Sequence, residues 1–127
     1  MPEYDAILDL SAPGAPDGVV ADAQERLVSE LNEAGPIAAV VTEDKGPGQK
    51  GIFELLGKVG VTLLSPDVIK HIAQVIVGFA KRNDGYEISV GDIKISKARA
   101  SDKDVERINA VLLKILARRR ASPEASR

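Results

Sequence analysis

GIFELLGKVGVTLL, residues 51–64, is an apolar stretch interrupted by Gly57 and Gly60. It lies between an apolar run, IAAVVT at 37–42, and a well-marked helix start at Ser65-Pro66. Its sequence pattern predicts a helix weakened by Gly57 and Gly60, since each interior glycine costs about 1 kcal/mol relative to alanine. Two helices would then follow one another in the middle of the chain.

The turn ahead of it, EDKGPGQK at 43–50, has the glycine content of a phosphate-binding loop. Such a loop needs G-x-x-x-x-G-K-[ST], because the lysine reaches the β- and γ-phosphates and the hydroxyl holds magnesium. Gly46 and Gly51 have the required separation, but Ile52 and Phe53 stand where Lys and Ser/Thr are needed. Gly57-Lys58 supplies a lysine, but five residues separate Gly51 from Gly57, and Val59 follows. Neither frame makes a nucleotide site, and the turn is expected to be a flexible connection.

Beyond it, Ser65 is placed as an N-cap with Pro66 at the first helical position. The helix that follows confines Asp67, Lys70, His71, Gln74, Gly78, Lys81 and Arg82 to one narrow stripe. Its apolar arc is wider than one sheet face needs. Val68, Ile69, Ile72, Val75, Ile76 and Phe79 are therefore the candidate interaction residues, for a second copy or for another protein. His71, the single histidine, falls on the polar stripe and is expected to be solvated beside Asp67.

Towards the N-terminus, YDAILDL sets Tyr4, Ala6, Leu8 and Leu10 on one side of a strand and Asp5, Ile7 and Asp9 on the other. SAPGAPDG breaks that strand, and Asp17 is placed to cap the next helix. Val20, Ala23, Leu27, Leu31 and Ala34 recur at helical spacing before Gly35-Pro36. Two strands joined by a helix should run parallel through a right-handed crossover. Towards the C-terminus, YEISVGDIKIS alternates on both sides of Gly91-Asp92, a two-residue hairpin turn. Ser101 and Asp104 form an acidic variant of the capping box, and Val105, Ile108, Val111, Leu112, Ile115 and Leu116 stripe the last helix. The predicted order is β-α-β-α-α-β-β-α: an α+β domain over residues 1–120, a four-stranded mixed sheet with helices on one face, and a disordered tail at 121–127.

The 127 residues suffice for one modest core, and the absence of cysteine excludes disulfides, thiol nucleophiles and thiolate metal sites while suiting a reducing cytoplasm. The apolar stretch from Val59 to Ala80 approaches spanning length, but Pro66, Asp67, Lys70 and His71 interrupt it, and charge near mid-span is costly. A net charge of −2 conceals a gradient. Residues 1–44 hold ten acids against the lone base Arg26, and residues 81–120 hold eleven bases against six acids. The two halves are expected to face each other or a symmetry mate. Arg118–Arg120 favour the negative end of the last helix over a phosphate backbone, and the four Tyr and Phe residues form no base-stacking pattern. No G-x-S-x-G motif is present, and Asp5 with Asp9 reads as surface charge. These observations yield no catalytic residue, no metal site, no cofactor, no nucleic-acid partner and no membrane span.

YEISVGDIKIS, followed by KARASDKDVERINAVLLKIL, resembles the effector-associated constant component family, which carries a hairpin with a Gly/Asp turn, a short linker and a helix with a VERI-like stretch. DLSAPGAP, AQERLVSELNEA and QKG extend the resemblance over most of residues 4–117. It implies an intracellular accessory protein of bacterial conflict or immunity-like systems, working beside an effector or signalling module by protein–protein interaction rather than catalysis. The family pattern has no catalytic residues to carry over. A small-ligand or nucleotide-sensing domain is the alternative reading, and an enzyme using carboxylates ranks third.

Overall fold

A computed structural model describes residues 4–44, 52–98 and 100–121. Strands β1 (Ala6–Ser11), β2 (Ala38–Asp44), β3 (Ile52–Val61), β4 (Glu87–Val90) and β5 (Ile93–Ser96) form one sheet in the order β2-β3-β1-β4-β5. Every neighbouring pair is antiparallel. Helices α1 (Asp17–Leu31), α2 (Pro66–Arg82) and α3 (Asp102–Ala121) complete a β-α-β-β-α-β-β-α chain, with one turn of 3-10 helix at Asn32–Ala34. The α+β class stands, whereas the predicted element order, the four strands and the mixed sheet do not.

The difference comes from residues 52–61, which form a strand. Once β3 is a strand, it inserts between β1 and β2 and pairs with both. These two still run in one direction, but neither bonds to the other, which is the split β-α-β arrangement. The first six strands and helices thus follow the ferredoxin-like pattern, and β5 and α3 extend it.

Two glycines explain why a helix does not form there. Gly57 has φ +82°, and a Cβ on it would lie 2.4 Å from the Leu10 carbonyl oxygen. Gly60 lies under the Tyr4 ring, where a Cβ would come within 2.3 Å of Cγ. Both are sites of close approach, the role glycine takes within strands. Val59, Val61 and Leu63 alternate into the core, while Lys58, Thr62 and Leu64 stay at least half exposed or intermediate. Between Val40 and Thr42 the β2–β3 register shifts, with Val40 opposite Val59 and Thr42 opposite Glu54, so β3 bulges there.

Other local signals hold. Ser65 Oγ accepts from Val68 N at 3.2 Å, with Pro66 opening α2. Gly91, at φ +60°, occupies the first central position of the β4–β5 turn, as a II′ hairpin requires. Ser101 N donates to Asp104 Oδ2 at 2.9 Å, the side-chain half of a capping box. Asp17, in contrast, lies inside the first turn of α1; Pro16 holds the N-cap position and no side chain caps it. Ala34 is exposed in the 3-10 turn and is not part of the α1 core stripe.

The core lies between the helices and one face of the sheet. Leu8, Leu10, Val59, Val61, Ile88, Val90, Ile93 and Ile95 point into it from the strands, and Leu27, Leu31, Ile72, Ile76, Ile108 and Leu112 from the helices. The α3 helix extends through Ala121; the rest of the predicted tail lies outside the described residues.

Candidate functional site

The wide apolar arc of α2 is filled within the chain. Ile69, Ile72, Ile76 and Phe79 have no exposed surface, while Val68 and Val75 are half-buried and pack against the core. The surplus beyond the sheet is taken up by α3, whose buried Ile108, Leu112 and Leu116 belong to the same cluster. Four of the six residues expected to form a docking surface on α2 are therefore inaccessible in this fold. Residues 52–61, read from their pattern as a helix, instead form strand β3 of the sheet.

Phe79 also anchors polar neighbours. Tyr86 meets its ring edge-on with centroids 6.1 Å apart, and the Arg26 guanidinium carbon lies 5.6 Å from its centroid. Arg26 further donates to Asn83 Oδ1 at 3.0 Å. The lone base of the acidic N-terminal third is thus used to tie α1 to the end of α2. A Glu30–Arg82 ion pair joins the same two helices and links the acidic third to the basic one. Both lie on the surface, where such contacts contribute roughly 0–1 kcal/mol each.

His71 is half-buried, contrary to the solvated position expected for it. Its Nε2 lies 3.1 Å from the Leu31 carbonyl oxygen, which can only accept, so the ring donates. Leu31 ends α1, where carbonyls lack partners within the helix. His71 on α2 therefore caps the C-terminus of α1. Replacing His71 with alanine should lower stability by about 1 kcal/mol, the net value of a typical intramolecular hydrogen bond. Urea denaturation at neutral pH measures this, and a change below a few tenths of a kcal/mol would show that the bond does not matter.

A cleft of about 410 Å³ runs between α2 and α3, lined by Gln74, Val77, Gly78, Lys81, Asp102 and Val105. Lys81 Nζ lies 3.0 Å from Asp102 Oδ1 across it. Asp102 is almost entirely exposed, so the cleft holds no desolvated charge with which to select a ligand. Asp5 and Asp9, read as surface charges on one side of β1, have separate structural partners. Asp5 Oδ2 accepts from Leu63 N at 2.6 Å, and Asp9 is ion-paired with Lys58.

The feature that sequence reasoning missed is the side of the sheet facing away from the helices. Pair register sets Ile7, Gly60 and Ala39 in one cross-strand row there, on the opposite side from buried Leu8, Val59 and Val61. The next row crosses Lys94, Ser89, Asp9 and Lys58. Ile7 is 47 % exposed, and the ring of Tyr4 lies over Gly60 beside it. The available signal was Ile7 itself, an apolar residue between Asp5 and Asp9 on the polar side of β1.

The glycine turn read as a flexible, nucleotide-free connection lies, from residue 45 to 51, outside the described residues. Arg118 is exposed near the end of α3. Among the described residues no helix is long and apolar enough to cross a membrane. The chain matches no protein-family model, no curated protein and no solved structure.

Proposed function

We propose that this chain is a non-enzymatic protein–protein interaction module that serves as an adaptor beside an effector of a bacterial conflict system. The observation that carries the interaction reading is the side of the sheet that none of the described helices covers. All three helices pack on the other side, leaving Ile7 exposed and Tyr4 lying over Gly60 on a surface that also holds paired charges. A surface with exposed apolar groups at its centre and a polar surround has the composition of a protein interface. The effector setting rests on the sequence resemblance over residues 4–117 alone. A location in the cytoplasm belongs to the same proposal.

Affinity capture from the native host tests it, with tagged wild-type chain compared with Ile7→Lys. The wild type should retain itself or a protein encoded beside it, and the variant should lose that retention. Recovery of no protein by either chain, together with a strictly monomeric wild type, would remove the interaction reading.

A further inference from the structure

We infer that the occupant of the open sheet face is a second copy of this chain, bound face to face about a two-fold axis. This rests on the reading of that face as an interaction surface and assigns its partner.

The first argument is charge. Two acids and two bases of this face make two pairs within the chain, Asp9 with Lys58 and Glu87 with Lys94, the latter 4.0 Å apart. Each of the four side chains remains partly exposed. The same side of β1 also carries Asp5, which accepts from Leu63 N, so the face holds both signs with a small acidic excess and can meet its own copy with acids opposite bases. It offers no single-signed field for a nucleic acid or an anionic membrane. Isologous contact, in which one patch meets itself, is the commonest closed arrangement of identical chains.

The second argument is area. Five strands spaced about 4.8 Å apart, with β1 of six residues running about 20 Å, give a face of roughly 500 Å². Two copies would bury about 1,000 Å² between them, the lower bound for a specific interface. The Ile7–Gly60–Ala39 row, with Tyr4 lying over Gly60, supplies a flat apolar centre. Gly60 has no side chain of its own, and the nearest atoms above it are those of the Tyr4 ring. The Lys94–Ser89–Asp9–Lys58 row would form the polar rim on one side.

Because the chain contains no cysteine, single-cysteine variants report proximity between copies cleanly. Ile7→Cys should form an interchain disulfide on mild oxidation, and Asp22→Cys, on the exposed side of α1, should not. In sedimentation equilibrium the wild type should move from one chain's mass to two as concentration rises. Ile7→Lys should weaken that association at least tenfold while leaving the urea midpoint nearly unchanged. Lys94→Glu, at the periphery and harmless to the core, should weaken it less. Equal cross-linking at residues 7 and 22, or a dimer indifferent to Ile7→Lys, would overturn the inference. A monomeric wild type that still captures another protein through Ile7 would also overturn it, but would leave the interaction reading in place. A monomer with no Ile7-dependent partner would end both.

Discussion

Phe79→Ala is expected to destabilise the domain by about 3–5 kcal/mol, the usual cost of removing a fully buried aromatic ring. The ring has no exposed surface, so truncation leaves a cavity between α2 and its neighbours. It also removes the surface against which Tyr86 stands edge-on and over which Arg26 lies. Small domains have only about 5–15 kcal/mol in total, so the variant should unfold at far lower urea concentration than the wild type. The result separates two roles for α2. Were Phe79 an exposed anchor, its removal would weaken self-association and leave the urea midpoint in place. Chemical denaturation monitored by circular dichroism, alongside sedimentation, reads both quantities from one protein preparation. An unchanged midpoint would mean that α2 does not sit in the core.

Gly57→Ala should cost about 2–4 kcal/mol, because strain and collision add at one site. At φ +82° an L side chain is disfavoured, and the added Cβ would meet the Leu10 carbonyl oxygen at 2.4 Å. That oxygen belongs to a core strand, so β1 and β3 would have to separate to relieve the contact. Gly60→Ala offers an internal comparison. There the obstacle is the ring of Tyr4, a side chain near the start of the described chain that can turn away. Its cost should be nearer 1 kcal/mol, within the range for overpacking. Urea denaturation of the two variants should therefore rank Gly57→Ala well below Gly60→Ala. The reverse order would contradict the pairing of β3 with β1.

Where the signals are local, sequence alone determined the structure. Ser65-Pro66 opens α2, Gly91-Asp92 turns the last hairpin, and the 3.6-residue recurrence of Val20, Ala23, Leu27 and Leu31 buries one side of α1. Each depends on residues within a few positions of one another, so period and cap chemistry suffice. The alternation in β1 likewise placed Leu8 and Leu10 inwards and Ile7 and Asp9 outwards, but it misplaced Tyr4, which the pattern groups with Leu8 and Leu10 and which instead lies over Gly60 on the outer side. Residues 52–61 could not be settled in that way. Their glycines weaken a helix in isolation, but what makes them a strand is contact with Leu10 and Tyr4, about fifty residues earlier in the chain. That one placement determined the rest of the topology. It brought β3 between β1 and β2, made the sheet antiparallel and five-stranded, and left α3 to cover the excess apolar arc of α2. The surface proposed for a partner moved with it, from α2 to the far side of the sheet. Apolar periodicity shows that a side chain will be buried, but only the packing of distant elements shows whether its own chain does the burying.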